Sequence, residues 1–259
     1  MSMRVISIAN FKGGTGKTVT AVNLAAVLAA EGDRVLLIDA DPQHNASDFF
    51  GAEPDSVTLS DVLTGHAEPY WPDILSPTGR EGLSLLPADM ELLTLDLASM
   101  KDGSGSDAVR RLRSLMDVLR EDDAFDFVII DCPPSFTAAS VAALSVSTDL
   151  IIPTRTDAFS QAGVEELIGQ TRQLILANPA QDLRWRVLIT MADSTNLHKQ
   201  GAMLLRVTMP FGCVYKTEIR STVKVGESTF VKKPLTEYAP KCTSTLNYQA
   251  LAEEVRKDG

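Results

Sequence analysis

Short apolar runs alternate along this chain with longer segments in which apolar residues recur at helical spacing. The apolar runs predict buried β-strands, and they lie at Arg4–Ala9, Val35–Asp39, Leu83–Pro87, Phe127–Asp131, Leu150–Pro153 and Arg186–Met191. The periodic segments predict helices, and they lie at Lys17–Ala30, Asp107–Arg120, Ala162–Leu176 and Asn247–Arg256. This alternation predicts an α/β fold with a mostly parallel, twisted β-sheet flanked by helices on both faces.

The sequence predicts a single domain, residues 1–259, without internal repeats or a linker. Its 259 residues and 44% hydrophobic content suffice for a sheet that is buried on both faces. The polar, proline-dotted stretch from Pro54 to Arg80 is interpreted as a surface excursion with a short helix that begins at Thr58. No apolar run approaches the roughly 20 residues that cross a bilayer, and Met1 leads into the first strand without a signal peptide. We therefore expect a cytoplasmic protein.

A glycine-rich loop between the first strand and the first helix carries the clearest chemistry. It reads Lys12-Gly13-Gly14-Thr15-Gly16-Lys17-Thr18, and Val19 follows it in the helix. Such a loop presents several backbone N–H groups to one point, where the helix N-terminus adds partial positive charge. Lys17 supplies a full charge for the β- and γ-phosphates, and the Thr18 hydroxyl is suited to bind Mg²⁺. The loop therefore predicts a site for a nucleoside triphosphate and Mg²⁺.

The loop departs from the ordinary P-loop at its mouth. The ordinary pattern has a glycine five positions before Gly16, where this chain has Phe11. A second lysine, Lys12, follows Phe11 and adjoins the two glycines that open the loop. This context favours a phosphate-binding lysine over a solvated surface lysine.

Three carboxylates follow predicted strands at the edge of the sheet where phosphate sites form. Asp131 ends the strand Phe127–Asp131 and is suited to bind a water of the Mg²⁺ shell. Asp41 lies with Pro42 and Gln43 in the loop after Val35–Asp39, and it is a candidate to orient or activate the water that attacks the γ-phosphate. Asp39 is either a further site residue or a structural carboxylate.

These motifs resemble those of the ParA/MinD family of deviant Walker A ATPases, whose signature is KGGxGKT. The resemblance extends over nearly the whole chain and is most specific for the ParA/Soj branch, which partitions chromosomes and plasmids. The matching segments are Lys12–Thr18, Val35–Gln43, Phe127–Pro134, Thr190–Leu197, Ile219–Glu227 and Tyr238–Lys241. The resemblance implies ATP hydrolysis with ATP and Mg²⁺ as cofactors.

The same resemblance implies partners and residue roles. It implies an ATP-dependent homodimer in which Lys12 of each protomer reaches the partner's nucleotide. Asp41 would position or activate the attacking water, and Asp157 would lie near the site without an assigned role. Met191 and Pro240 would lie near the adenine. The activating partner would be a ParB-like protein, and the cargo, whether plasmid, chromosome or protein assembly, is not readable from the sequence.

Charge is distributed unevenly along the chain. The net charge of -10 argues against nucleic-acid binding, but Leu197 to Thr245 contains eight basic and three acidic residues, so this segment carries +5 and the remainder -15. The family's matching segment supplies basic residues to DNA. We therefore expect non-specific DNA binding and nucleoid association, led by Arg220 and with weaker contributions from Lys199, Lys224, Lys232 and Lys233.

Two other functions compete with DNA partitioning. A MinD-like positioning ATPase would end in a basic amphipathic helix for the membrane, whereas the polar face of this tail carries Glu253 and Glu254. A metabolic ATP-dependent ligase of the P-loop superfamily would need a small-molecule pocket, for which the sequence has no motif. The three cysteines lie far apart without C-x-x-C spacing, which disfavours an iron–sulfur protein of this superfamily.

Overall fold

Eight strands build one sheet in the computed structural model, which describes residues 3–53, 55–68, 70–102, 105–156, 164–170, 173 and 183–257. The strands are β1 Arg4–Ile8, β2 Val35–Asp39, β3 Ser76–Arg80, β4 Leu83–Leu86, β5 Phe127–Asp131, β6 Asp149–Thr154, β7 Arg184–Ala192 and β8 Val214–Arg220. Their order across the sheet is β3-β4-β2-β5-β1-β6-β7-β8. The strand pairs are parallel except β3 with β4, which confirms the predicted mostly parallel sheet.

Helices cover both faces of this sheet, as the alternating pattern predicts. They are α1 Lys17–Ala30, α2 Asn45–Phe50, α3 Leu59–Thr64, α4 Trp71–Ile74, α5 Leu92–Asp102, α6 Gly105–Glu121, α7 Ala138–Val146, α8 with its described part at 164–170, α9 Asn196–Thr208, α10 Val223–Phe230, α11 Leu235–Tyr238 and α12 Thr243–Lys257. None of the described helices is both long enough and apolar enough to cross a membrane.

Two apolar cores hold the layers together. One face of the sheet packs against α1 and α12, whose Leu24, Leu28 and Tyr248 are fully buried or nearly so. The other face packs against helices that include α6 and α7, and Leu115 and Met116 of α6 are fully buried in this core. Because β1, β2 and β5 are covered on both faces, they are buried along their whole length and mostly apolar rather than alternating.

Several elements that the sequence pattern does not predict lack a clear apolar periodicity, for different reasons. β3 contains Pro77 and Gly79, residues that are tolerated at a sheet edge, and it falls inside the predicted surface excursion. β8 is the other edge strand and is only partly buried. α7 consists mainly of small apolar residues on every side, so it has no one-sided stripe. The predicted helix Ala162–Leu176 lies partly outside the described residues.

Candidate functional site

The predicted site residues meet at one edge of the sheet, where neighbouring parallel strands end. Asp39 and Asp131 are register partners at the ends of β2 and β5, and Ile8 of β1 pairs with Asp131 from the other side. The glycine-rich loop leaves β1 at this point and enters α1. Carboxylates and the loop therefore converge although they are far apart in sequence. Asp157 lies outside the described residues.

Two positions of the loop before α1 have backbone conformations that favour glycine. Gly14 and Gly16 have φ angles of 70° and 86°, in the left-handed region that side chains disfavour. Gly16 is also the N-cap of α1, so the exposed N–H groups of the first helical turn face the loop. Gly13 and Gly14 are exposed to solvent, which leaves the backbone open to a ligand. This geometry suits a phosphate cradle.

Buried polar side chains tie the loop to the sheet. The Asn10 side chain donates to the Pro153 carbonyl at 2.8 Å and accepts the Lys12 N–H at 3.0 Å. The Thr190 hydroxyl lies 2.7 Å from the Thr15 carbonyl and 3.1 Å from the Thr154 carbonyl, between the loop and β6. Sequence reasoning missed both anchors, because a buried Asn before a loop or a Thr ending a strand carries no motif of its own.

Lys17 is the buried cation of this site, with 7% of its surface exposed. Its Nζ donates to the Lys12 carbonyl at 3.3 Å, so the side chain folds back along the loop. Burial lowers the pKa of Lys17, although Asp131 and Asp41 partly oppose the shift. A bound polyphosphate would favour the charged ammonium in the same way. The backbone of the half-buried Lys12 is thereby held from both sides, at its N–H and at its carbonyl.

Asp131 is the buried anion of the site. It is 1% exposed, and neither carboxylate oxygen has a hydrogen-bond partner among the described residues. Burial and the charge of Asp39 raise its pKa well above the ordinary value, while the nearby Thr18 hydroxyl and Lys17 oppose this shift. The Thr18 hydroxyl lies near Asp131 but does not meet hydrogen-bond geometry with either of its carboxylate oxygens. A buried carboxylate without partners is costly unless a cation compensates it, so Thr18 and Asp131 fit the shell of a Mg²⁺ ion.

Asp39 has a different environment from its register partner. Its Oδ1 accepts the Asp41 N–H at 3.1 Å, and its Oδ2 accepts both the N–H and the hydroxyl of Ser47 at 2.8 Å. Ser47 Oγ in turn accepts the Ala88 N–H at 2.9 Å. Burial raises the pKa of Asp39 to about 6. Of the two interpretations of Asp39, the structural one fits, because its oxygens hold α2 and the segment after β4 in place.

Asp41 lies in the turn that these contacts hold. Its Oδ1 accepts the Gln43 N–H at 2.9 Å, and its carbonyl accepts the His44 N–H at 2.8 Å. His44 adopts a positive φ of 45°, which marks a tight turn directly after the carboxylate. The side chain is 7% exposed and lies near enough to Lys17 to affect its charge. The turn therefore holds Asp41 beside the phosphate loop.

A cavity of about 220 Å³ opens beside the loop, where β7 and β8 end. Met191 lines it with a φ of 52°, an uncommon conformation for a side chain of this size. Val19 and Arg220 also face it, whereas Pro240 is exposed and is not among its lining residues. An apolar-walled cavity next to a phosphate loop suits the base of a nucleotide.

A larger groove of about 780 Å³ lies elsewhere, between the end of α1 and the β3–β4 turn. Its arginines are engaged within the protein. Arg80 donates to Glu237 at 2.7 Å, and Arg34 donates to Asp126 at 2.8 Å. The groove is remote from the phosphate loop, and its paired charges suit a structural surface better than a ligand site.

The five basic residues that the sequence links to DNA are all exposed, but they differ in setting. Arg220 ends β8 and forms no ion pair with a described residue, while Lys224 is engaged by Glu227 at 2.7 Å. Lys232 has a φ of 54° and lines a groove together with Thr18. Lys233 follows it, and Lys199 lies on α9.

The fold, the phosphate loop and the buried carboxylates together define a P-loop nucleotide hydrolase. Residues 3–183 match the family model AAA_31, described as an AAA domain. The chain is 37% identical to the chromosome partitioning protein ParA of Caulobacter vibrioides strain NA1000, over 98% of this chain and 94% of that protein. It is 35% identical to the sporulation initiation inhibitor protein Soj of Bacillus subtilis strain 168, over 99% of both. The chain therefore belongs to the ParA/Soj family of ATPases.

A solved structure with nucleotide supports the same chemistry. Cobyrinic acid a,c-diamide synthase from Mycobacterium smegmatis, with a bound ATP analog and magnesium, is 29% identical and superposes with a TM-score of 0.79, over 98% of this chain and 95% of that one. The protein is an ATPase whose cofactors are ATP and Mg²⁺. Because a synthase shares the fold, the fold by itself does not separate a partitioning switch from a metabolic enzyme.

Proposed function

We propose that this protein, as one ATPase domain spanning residues 1–259, is a dimeric switch that binds DNA non-specifically in its ATP state. With a ParB-like partner it partitions a plasmid, a chromosome or a protein cargo. The observation that carries the proposal is the second lysine at the mouth of the phosphate loop. Its backbone is anchored by Asn10 and Lys17, which holds Lys12 at the entrance to the nucleotide site.

The anchored Lys12 suits a contact made in trans. Lys17 already serves the phosphates of its own loop, and a second cation arriving from a partner would neutralise charge that develops during phosphoryl transfer, as an arginine finger does. Hydrolysis would then require two protomers that face each other across their nucleotides. Dimerisation would thus be coupled to ATP.

In the proposed mechanism, Asp41 positions or activates the water that attacks the γ-phosphate. Its turn is held by Asp39, Gln43 and His44, so the carboxylate is positioned before nucleotide arrives. Asp131 and Thr18 would hold Mg²⁺, and Val19 and Met191 would contact the nucleoside. Pro240, which the resemblance also implies, is proposed only as a peripheral contact because it does not line the cavity.

The packing of helix α12 favours DNA over lipid as the anionic ligand. Most apolar side chains of α12, among them Tyr248, Leu251 and Val255, are buried in the core formed with α1, whereas Leu246 is 53% exposed. They are therefore engaged within the fold, whereas a MinD-like tail must present such a face to the membrane. A nucleoid-associated, cytoplasmic protein follows from the proposal.

Measuring DNA binding in the two nucleotide states tests the proposed function. The proposal predicts that the wild-type protein binds unrelated duplexes alike with ATP and much more weakly with ADP, because two basic segments act together only in the dimer. A plot of the logarithm of the DNA association constant against the logarithm of the salt concentration should have a slope of roughly -0.9 for each phosphate that the protein neutralises. Fluorescence anisotropy across a salt series measures both effects.

Arg220→Ala should weaken binding to every duplex and leave ATP affinity intact. The matched control is Arg113→Ala, which removes an exposed arginine on α6 outside the basic segment. Equal DNA affinity with ATP and ADP, or no binding with either at low salt, would contradict the proposed function.

A further inference from the structure

The outward side of α9 is apolar, which is unusual for a surface helix. Leu197, Met203, Leu204 and Val207 are 76%, 69%, 53% and 72% exposed, and Phe211 just beyond the helix is fully exposed. Monomeric soluble proteins seldom display several large apolar side chains together without an interaction partner. We call these five residues the α9 face.

Helical geometry places the α9 face on one side. Positions 197, 204 and 207 recur at intervals of seven and three residues, so they line up along 3.6-residue turns, with Met203 adjoining and Phe211 following the end of the helix. The buried residues Ala202 and Leu205 point the opposite way, into the core. The helix is thus apolar on both its inner and its outer side, the pattern of a helix that is covered twice.

Two exposed lysines flank this face. The stretch 196–217 contains no aspartate or glutamate, although the whole chain has 34 acidic residues. Lys199 and Lys216 are exposed and form no ion pair with a described residue. Lys216 lies two residues before Glu218, which contacts His198 and Arg206 of α9, so both side chains lie on the α9 side of β8.

The two lysines and the apolar side chains together indicate which kind of ligand would fit the α9 face. A second copy docked by the same face would bring like charges together. DNA offers phosphates but nothing to cover an apolar stripe. Recognition of an anionic lipid surface takes a cluster of about four to eight basic residues, whereas this face is flanked by two lysines that form no ion pair with a described residue. A helix that is apolar on one side and acidic on its flanks would satisfy both the stripe and the lysines.

We propose that the α9 face is a docking site for an amphipathic helix of a partner protein whose polar face is acidic. The apolar residues of α9 would pack against the partner's stripe in the manner of helix-in-groove recognition. Lys199 and Lys216 would pair with carboxylates at its flanks and set the choice of partner. This surface is separate from the nucleotide site. It shares Lys199 with the proposed DNA contact, but the docking proposal does not require that contact.

The test uses three fluorescein-labelled helical peptides of equal length. They share leucines at i, i+3, i+4 and i+7 and carry glutamate, glutamine or lysine at all other surface positions. Anisotropy with the full chain should show the glutamate peptide binding about tenfold tighter than the lysine peptide. Lys199→Glu combined with Lys216→Glu should invert this order.

A matched pair of variants locates the contact. Leu204→Gln combined with Val207→Gln should lower affinity for the glutamate peptide by about tenfold or more, with basal ATP hydrolysis unchanged. Val223→Gln combined with Phe230→Gln, exposed apolar residues of α10, should leave peptide affinity unchanged.

Three results would overturn the proposal. The first is equal binding of the three peptides, or binding that the α9 variant does not affect. The second is co-sedimentation with phosphatidylglycerol-containing vesicles that the variant abolishes, which would assign the face to lipid. The third is a nucleotide-independent rise in mass with protein concentration that the variant abolishes, which would assign it to a second copy.

Discussion

Two buried carboxylates, Asp39 and Asp131, are neighbours across β2 and β5, yet their surroundings give them different tasks. Asp39 accepts three hydrogen bonds and holds a turn, while Asp131 accepts none from described residues. The raised pKa of Asp131 means that the folded apo protein holds this carboxylate at a cost, which a bound cation would relieve. The site therefore holds a buried carboxyl group whose ionised form a bound Mg²⁺ would stabilise.

Asp131→Asn should stabilise the protein without nucleotide or Mg²⁺. Because the folded state raises the pKa of Asp131, stability is lost as pH rises above the unfolded value, so the variant should gain more at pH 7.5 than at pH 4.5. The gain at pH 7.5 should be about 1–3 kcal/mol in chemical denaturation. Asp39→Asn is the comparison, with a smaller gain or a loss, because its amide places a donor against a donor N–H. Equal gains in the two variants would contradict the distinction.

Substitution of Asp41 should block ATP hydrolysis without blocking ATP binding. Asp41→Ala removes the carboxylate but leaves the phosphate loop, so ATP should bind with nearly wild-type affinity while phosphate release falls by a factor of roughly 10² or more. The dimer would persist in its ATP state and stay on DNA. Nucleotide binding and phosphate release measure the two effects separately. Wild-type turnover in this variant would show that another group positions the water.

At the scale of elements, the phosphate loop depends on strands that are remote from it in sequence. The Thr190 hydroxyl at the end of β7 lies between the Thr15 carbonyl of the loop and the Thr154 carbonyl of β6. These three segments are otherwise joined only through the sheet. One buried hydroxyl thus sets how the loop sits above the strand ends.

Thr190→Val keeps the shape of the side chain but removes the single hydroxyl proton that lies between two buried carbonyls. It should cost about 1–3 kcal/mol of folding free energy, and ATP affinity should fall by up to about tenfold because the loop is less well held. Thr190→Ser retains the hydroxyl and is the control. Denaturation and nucleotide titration report the two effects. If the valine and serine variants behaved alike, the tether would have no role in binding.

At the scale of the whole molecule, charge is divided between an acidic body and a basic C-terminal segment. The basic residues are exposed, but pairing of Lys224 with Glu227 reduces what that lysine can offer DNA. A single protomer therefore presents a modest basic surface. Two protomers acting on one duplex would multiply that weak affinity, which ties DNA binding to dimerisation.

Lys12→Ala tests the coupling between protomers. The variant should bind ATP through Lys17 but hydrolyse it slower by a factor of roughly 10³, by analogy with an arginine finger, and its ATP-dependent dimer should weaken. Light scattering with ATP and a phosphate-release assay measure both. Lys17→Ala is the contrasting variant, since it should abolish ATP binding itself. Normal turnover by a strictly monomeric Lys12→Ala protein would rule out a lysine supplied in trans.

Much of the fold and the centre of the site can be predicted from the sequence, because they depend on residues that are contiguous in the chain. Buried parallel strands must be aliphatic on both faces, and a phosphate cradle needs its glycines and lysine in one contiguous loop. The predicted strands at β1, β2 and β5 are confirmed, as are helices α1 and α6. Asp131 falls at a strand end for the same reason. Edge strands β3 and β8 escape prediction because partial exposure blurs their pattern.

The sequence by itself thus determined the α/β class, the phosphate loop and the family to which the chain belongs. Only the tertiary structure decided that Asp39 is an anchor, that Thr190 holds the loop, that Pro240 stands outside the cavity and that α9 is apolar on its outer side. The physical reason is common to all four. Hydrogen-bond partners and solvent exposure depend on residues brought together from distant parts of the chain, which no local pattern of residues specifies.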